Sequence, residues 1–227
     1  VRRMLTGEFS TAGQQLVVND NGSMQLSDAF SSALQDSYFK ECVLDALEFG
    51  ISRAQARYGN RYKDTDFVLY EKYSREDVAR LLQWEKEPNY QNIGGYFYDK
   101  ETNTFPVFID YEKDPSISIT TQYEDRFVSD HRIVAISKSK RSLRSNEIVR
   151  LGNASENGMK CYLFVRKNKE DKNDRKEFYF LGQIHPTGEF EQIVMGDGKT
   201  SAVEITYDLE QPVRADLYDY LLSSFDD

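Results

Sequence analysis

Short apolar and aromatic runs, often alternating with polar residues, follow one another between residues 95 and 209. Side chains along a β-strand point to its two faces in turn, so a period of two predicts strands. A turn at residues 100–103 would join the first two strands as a hairpin. Pro106 lacks an amide hydrogen, which places the second strand at a sheet edge or at its own start. We predict strands at residues 95–99, 105–111, 132–137, 160–167, 177–184, 189–195 and 201–209.

The first 62 residues carry different signals. Glycines scattered among small polar residues indicate a linker, with one short strand at residues 15–18. Residues 27–57 predict a helical segment, with Ser27 and Ser37 as candidate N-caps and a division at Gly50. Apolar residues recur at steps of three to five, which predicts one buried face. That face consists of Leu34, Tyr38, Cys42, Ala46, Phe49 and Ala54.

Helices and one more strand are predicted around the strand-rich region. Residues 66–70 read as a short strand, and Ser74 opens a helix with Asp77 at its third position. A short helix begins near Ser145, and Pro212 occupies the first turn of a C-terminal helix. The residues expected to pack inward from the first and last of these helices are Val78, Leu81, Leu82, Leu217, Leu221 and Leu222.

These signals predict an α+β chain. A linker and helical coupler segment would occupy residues 1–62, and a mixed β-barrel-like domain with a C-terminal helix would occupy residues 63–227. A chain of 227 residues can bury a sizeable core without disulfides or metal. The sequence starts at Val1 without an initiator Met, so we expect a fragment of a longer protein.

Charge is distributed unevenly along the chain. The formal net charge is -9, which by itself argues against nucleic acid. Residues 126–176, however, contain 14 Lys and Arg and six Asp and Glu, a local balance of +8, so the rest of the chain carries -17. A basic segment in an acidic chain is expected if one face meets phosphates. A charged surface hairpin is the alternative.

Catalytic, metal and membrane signals are weak. Two cysteines and two histidines cannot form the usual zinc sites, and we expect no cofactor and no metal. Two thiols without a secretory signal indicate the cytoplasm, and no apolar run is long enough to span a membrane. Asp110, Glu112 and Lys113 could be imagined as a magnesium-dependent nuclease site, but loop charges are the simpler interpretation. We predict a non-catalytic module.

The strongest functional signal is the run of residues 137–145, in which serines alternate with cations. Hydroxyls, amides and cationic side chains are the groups that hold phosphate oxygens, and Arg can also read guanine. A second signal, at residues 84–98, places amides and aromatics around Gly94 and Gly95, where the backbone could approach DNA closely. The predicted DNA-binding residues are Arg126, Lys138, Ser139, Lys140, Arg141, Arg144 and Asn92.

A pocket for a base turned out of the duplex needs an aromatic to stack on the base and a carboxylate or amide to bind its edge. Aromatic and acidic residues between residues 96 and 127 could supply both, although aromatics in strands more often belong to the core. The candidate pocket residues are Tyr96, Tyr98, Asp110, Tyr111, Tyr123 and Asp125.

An ordered series of sequence blocks resembles the C-terminal target-recognition domain of type IV restriction enzymes similar to SauUSI, which carry phospholipase-D-like nuclease and helicase domains. The resemblance covers about residues 35–222. One difference is that this chain has Ala135 and Ile136 where relatives often carry an aromatic. The blocks are residues 73–84, 92–96, 105–111, 123–127, 137–141, 163–167 and 178–182.

The resemblance implies a domain that reads 5-methylcytosine or 5-hydroxymethylcytosine in double-stranded DNA, on a fold similar to SRA/PUA barrels that turn the modified base out of the helix. The nuclease and helicase domains of the parent chain would be its partners, in defence against phage. Two alternatives remain open: a DNA-binding or protein-docking domain without modification specificity, and the nuclease described above.

Overall fold

The computed structural model describes residues 5–7, 15–89, 95–111, 125–167 and 176–223. The chain forms two compact units: residues 1–68 together with 79–88, and residues 69–78 together with 89–227. None of the helices in the described ranges has the length and hydropathy that crossing a bilayer requires.

Among the described residues, a hairpin and two helices lie wholly within the first unit. The hairpin strands are β1 (Val17–Asp20) and β2 (Ser23–Leu26), joined by a tight turn in which Asn21 and Gly22 both have positive φ. Asn-Gly is the preferred pair for such a turn. The helices are α1 (Asp28–Ala33) and α2 (Ser37–Arg57).

The caps of these helices differ partly from the prediction. Ser27 caps α1, since its hydroxyl accepts a hydrogen bond from the Phe30 amide at 3.2 Å. The cap of α2 is Asp36, whose carboxylate accepts from the Phe39 amide at 2.7 Å, so the prediction of Ser37 was wrong. Gly50 lies inside α2 and does not divide it.

The predicted buried face of α2 is exposed in this structure. No residue of α2 is buried, and Tyr38 and Phe49 are 76% and 63% exposed. Leu44, Leu47 and Ile51 lie on the other side of the helix, so its apolar residues form two stripes instead of one. Spacing shows which apolar residues share a face but not whether another element covers that face, which is why the predicted burial was wrong.

The second unit is built on a seven-stranded sheet, and the predicted α+β class is confirmed. Helix α3 has residues in both units. The strands are β3 (Lys72–Ser74), β4 (Thr104–Asp110), β5 (Arg126–Ser129), β6 (Arg132–Ile136), β7 (Lys160–Arg166), β8 (Glu177–Val194) and β9 (Ser201–Leu209). The helices are α3 (Arg75–Leu81), α4 (Asn146–Gly152) and α5 (Ala215–Leu222).

The strand order is β4-β7-β8-β9-β6-β5, and β3 pairs with β8. The β4–β7 pair is parallel and the other pairs are antiparallel. Within the described residues, β4 and β5 end this path and do not pair with each other. The ring of Tyr111, just after β4, nevertheless lies 5.4 Å from the ring of Phe127 in β5. Aromatic contact therefore joins the two ends of the sheet.

Several strands depart from their predicted form. Residues 95–99 contribute isolated bridges from Tyr96 and Asp99 and no full strand. The two strands predicted at 177–184 and 189–195 are one strand, β8, since pairing resumes after an irregularity between Pro186 and Phe190. Residues 66–70 are not a strand, and β5 was not predicted. Pro106 lies, as predicted, in a strand at the end of the sheet path.

The helices of this unit begin largely as predicted. Ser74 and Asp77 form a reciprocal cap, in which each backbone amide donates to the other side chain at 3.1 Å. Ser145 precedes α4. Helix α5 begins at Ala215, beyond Pro212, because the chain first stays extended and the Val213 amide donates to the Asp130 carbonyl.

The inward packing of these helices is mixed. Val78, Leu217 and Leu221 are buried. Leu81 and Leu82 are partly buried, and Leu222 is exposed, contrary to the prediction.

Both faces of the parallel pair are buried. Phe105, Val107 and Ile109 of β4 enter a core shared with β6, β7, β8, β9, α4 and α5. On the opposite face, Phe108 belongs to a layer of four buried rings joined by stacked, tilted and edge-to-face contacts, which we call the aromatic layer. It consists of Phe108, Phe164, Phe178 and Phe180. Burial on both faces explains why β4 and β7 are continuous apolar runs.

The aromatic layer predicts a stability effect. Replacing Phe164 with Ala removes a fully buried ring and should lower the free energy of unfolding by about 3–5 kcal/mol. Equilibrium urea denaturation measures this. The control is Val128→Ala, at a position 59% exposed, which should change stability by less than about 0.5 kcal/mol. Equal effects from the two substitutions would contradict the packing described here.

Candidate nucleic-acid interface

The loop of residues 137–145, which we call the cationic loop, is fixed to the sheet at its start. The Ser137 amide donates to the Val203 carbonyl at 2.8 Å, and the Val203 amide donates to the Ser137 hydroxyl at 2.9 Å. Ser137 is buried, and its hydroxyl accepts the hydrogen bond that a backbone carbonyl would accept in a regular sheet. These two hydrogen bonds extend the β6–β9 ladder by one residue. The Lys140 amide then donates to the Ser201 carbonyl at 2.7 Å.

The end of the cationic loop forms a turn that leads into α4. The Ser142 amide donates to the Ser145 hydroxyl at 3.0 Å, and the Ser145 amide donates back to the Ser142 carbonyl at 2.9 Å. The hydroxyl of Ser139 lies 3.5 Å from the Met195 sulfur. The hydroxyls of Ser137, Ser142 and Ser145 therefore accept hydrogen bonds from backbone amides, which order the loop.

The four cations of the loop fall into two pairs. Lys140 and Arg144 are exposed, and within the described part of the chain neither forms an ion pair. Arg141 donates from Nε to a Glu147 carboxylate oxygen. Lys138 is partly buried, with Nζ 4.7 Å from the centre of the Tyr96 ring. Lys140 and Arg144 are thus the cations available to an external anion.

A polar network holds the loop against the core. The Tyr96 hydroxyl donates to Glu147 Oε1 at 2.6 Å and accepts from the Lys138 amide at 3.3 Å. The Tyr96 ring is 5% exposed and stacks on Phe105 at 5.1 Å. Burial, followed by the hydrogen bond to Glu147, raises the pKa of Tyr96. Tyr96 therefore ties the loop to α4 and the core.

Glu147 is a residue of this network that sequence reasoning missed. Burial raises the pKa of its carboxyl, but hydrogen bonds from Tyr96 and Arg141 and the nearby cations outweigh burial and lower the pKa overall. Burial also lowers the pKa of Lys138, which the charge of Glu147 opposes. The available signal was an acid in the first turn of a helix, six residues after Arg141, and it was interpreted only as a helix start.

Two more predicted residues act within the sheet. Arg126 donates from both terminal nitrogens to Glu204, at 2.9 and 3.1 Å. Asp125 accepts a hydrogen bond from the Ile136 amide at 2.8 Å. Asp125 thus connects the start of β5 to the neighbouring β6, whereas Arg126 reaches from β5 across β6 to β9.

The remaining predicted pocket residues lie in separate places. The Tyr98 hydroxyl donates to Asn103 at 3.1 Å, with the Arg150 guanidinium 4.1 Å from its ring centre. Asp110 accepts from Arg166 Nε, and the partly buried Tyr111 packs on Phe127. Asn92 and Tyr123 lie outside the described residues. Among the predicted set, the structure brings together Tyr96, Lys138 and Arg141.

The two cysteines differ in exposure. Cys161 is buried, and burial raises its pKa to about 12, whereas Cys42 is exposed. No group of three or more His, Cys, Asp or Glu side chains suited to a metal occurs in the ranges that the structure describes.

Comparison with known proteins identifies a family. A family model described as "Domain of unknown function (DUF3427)" matches residues 67–221. The chain belongs to this family. A search of curated proteins found no match.

Solved structures similar to this chain include three whose descriptions name modified DNA or its restriction. The SRA domain of SUVH5 in complex with hemi-methylated CG DNA is 10% identical, with a TM-score of 0.43 over 65% of this chain and 92% of the other. The DNA recognition domain of the cytosine modification-dependent endonuclease LpnPI is 12% identical, with a TM-score of 0.43 over 70% and 81%. The modification-dependent endonuclease AspBHI is 11% identical, with a TM-score of 0.43 over 65% and 43%. Similarities this low transfer no residue role to this chain.

The network around Glu147 predicts a dependence of stability on pH. Because the folded-state pKa of Glu147 is lowered, the unfolded chain takes up the proton first as pH falls, and the stabilisation is lost through the carboxyl range. The stability advantage of the wild type over Glu147→Gln should therefore be largest above that range and should shrink below it.

Urea denaturation at a series of pH values measures this difference. Glu156→Gln is the matched control, because Glu156 is exposed and forms no hydrogen bond or ion pair within the described chain. An advantage over Glu147→Gln that stays constant across the pH series would contradict the role given to Glu147.

Proposed function

We propose that this chain is a target-recognition domain that binds double-stranded DNA containing 5-methylcytosine or 5-hydroxymethylcytosine. The observation that carries the proposal is the pair of exposed cations, Lys140 and Arg144, on a loop anchored at both ends to the protein. An ordered loop loses little conformational entropy on binding, so its charges are already positioned to contact phosphate oxygens.

The proposed selectivity depends on the modified base being turned out of the duplex, as on an SRA/PUA-like barrel. Burial of a methyl group contributes about 0.8 kcal/mol, so the fit of the pocket must supply further discrimination. A carboxylate that accepts the exocyclic amine of cytosine would exclude thymine. Tyr98 and Tyr111 keep part of their surface exposed, whereas Tyr96 is buried and better suited to hold the cationic loop.

The sequence blocks that resemble SauUSI-like type IV restriction enzymes support this context. In the proposed arrangement the chain reads DNA without cutting it, while nuclease and helicase domains of a parent protein act on the bound molecule. Magnesium-dependent cleavage by the isolated chain would favour instead the nuclease alternative built on Asp110, Glu112 and Lys113. Of these, Asp110 accepts a hydrogen bond from Arg166, and the other two lie outside the described residues.

Removing the two exposed cations tests the phosphate contact. The double variant Lys140→Ala and Arg144→Ala should bind methylated and unmodified duplexes more weakly by the same factor. It should also reduce the slope of log affinity against log salt by about 2, because two phosphate contacts are lost. Fluorescence anisotropy over a salt series measures both quantities.

The matched control for this variant is the pair Arg53→Ala and Lys100→Ala, which removes two exposed charges that form no hydrogen bond or ion pair within the described chain. A loss confined to the methylated duplex would place Lys140 and Arg144 in base reading instead. An equal loss in the control would show only an effect of net charge.

Duplexes that differ at one base pair test the selectivity. A 5-methylcytosine duplex should bind at least about 4-fold more tightly than its unmodified counterpart, the factor that burial of one methyl group gives. A duplex with thymine at that position carries the methyl group without the exocyclic amine and should bind no better than unmodified DNA. A fluorescent purine beside the modified base should brighten when that base leaves the stack.

Equal affinity for all three duplexes would contradict the modified-base proposal. It would favour the alternative of a DNA-binding domain without modification specificity. Absence of binding to every duplex would favour a protein-docking domain.

A further inference from the structure

A second cationic site lies at the edge of the aromatic layer. The Arg75 guanidinium lies 5.3 Å from the centre of the Phe108 ring and 5.2 Å from the Phe178 ring. The Arg166 guanidinium lies 4.4 Å from the same Phe178 ring. Two guanidinium groups therefore share one aromatic surface, at the ends of β4 and β7, where Asp110 and Arg166 are register partners.

The charges at this site are compensated unevenly. Arg166 donates from Nε to the Asp110 carboxylate. Arg75 forms no hydrogen bond or ion pair within the described chain, and its Nε is buried without an acceptor. A buried donor without a partner is destabilising, more so when the group is charged. An anion held by the guanidinium would neutralise its charge and offset part of that cost.

The electrostatic surroundings agree with this interpretation. Burial lowers the pKa of Arg75, the charge of Asp110 opposes this effect, and the charge of Arg166 adds to it. The adjacent residue Lys167 is also buried, with Nζ donating to the Ser223 hydroxyl at 2.8 Å. Lys167 is therefore engaged elsewhere, and the two guanidinium groups of Arg75 and Arg166 share the charge of one carboxylate, Asp110.

The geometry points to a phosphate as the missing partner. A planar guanidinium supported by aromatic rings binds oxyanions through two parallel hydrogen bonds. Strand directions place this site at the opposite end of the sheet from the cationic loop, because β7 and β6 run antiparallel through β8 and β9. We propose that Arg75 binds a phosphodiester group of the DNA, so that the duplex is held at both ends of the sheet. This inference rests on the proposed function.

The first test uses the wild-type chain and inorganic phosphate. Nuclear magnetic resonance of isotope-labelled arginine side chains follows the Arg75 Nε–H signal, assigned from its absence in Arg75→Gln. Phosphate added at constant ionic strength should move this signal in a saturable manner. If the signal does not move, or if all arginine signals shift alike, phosphate does not bind at Arg75 and the proposal is overturned.

The second test measures binding of methylated and unmodified duplexes to Arg75→Gln. Affinity should fall by about 10-fold for both duplexes, and the salt slope should fall by about 1. Arg75→Lys keeps the charge without the planar group and should retain the salt slope while recovering part of the affinity. Arg53→Gln, which removes an exposed charge, is the control.

The outcomes separate this inference from the proposed function. Wild-type affinity and slope in a folded Arg75→Gln variant, verified by thermal unfolding, would overturn the inference even if phosphate moves the Arg75 signal. An anion other than DNA, such as an acidic protein partner, would then be the better occupant. If Lys140 and Arg144 prove dispensable while Arg75→Gln weakens DNA binding, the cationic loop was wrongly assigned and the Arg75 site is upheld.

Discussion

The hydrogen bonding of β8 holds the second unit together. Its first part pairs with β7 and its second part with β9, and the change of partner occurs at Ile184. The strands on the two sides are therefore offset along β8, and residues from both halves of the sheet enter one shared core. The ladder that β9 forms with β6 then sets the start of the cationic loop, so the position of the proposed phosphate contacts depends on β8.

The aromatic layer and the shared core together determine what can lie at the ends of the strands. With both faces of β4 and β7 buried, polar side chains are confined to the strand ends, where Asp110 and Arg166 meet. Their ion pair lies beside stacked rings, in a setting where charges are poorly screened. The same packing that makes the sheet stable thus concentrates charge at its border.

Much of the β-structure could be predicted because strands leave a local pattern. The bounds of β9 agree with its prediction, and those of β6 and β7 differ by one residue. The division of β8 was wrong because Pro186 and Gly188 resemble turn residues, and only the long-range ladder with β9 keeps the strand continuous. The exposure of α2 could not be predicted either. The sequence shows which residues of a helix are apolar but not which other elements cover them.

The sequence identified most residues of the candidate site but not how their side chains are paired in the fold. Clustered cations identified the loop, but the sequence could not show which charges are paired, since Glu147 and Glu204 reach their partners only in the fold. Tyr96 illustrates the limit: an aromatic on an alternating run suits a base pocket or a core, and here its ring is buried. Arg75 was missed because a lone arginine in a capping motif carries no signal of its aromatic neighbours.

The contrasting environments of the two cysteines have a practical consequence. A thiol reacts as its thiolate, and the buried Cys161, with its raised pKa, stays protonated and shielded at neutral pH. Maleimide reagents will therefore modify native protein at Cys42, which gives a single attachment point for a fluorophore on α2. Cys161 becomes reactive only when the sheet opens, so its rate of alkylation reports how often the second unit unfolds.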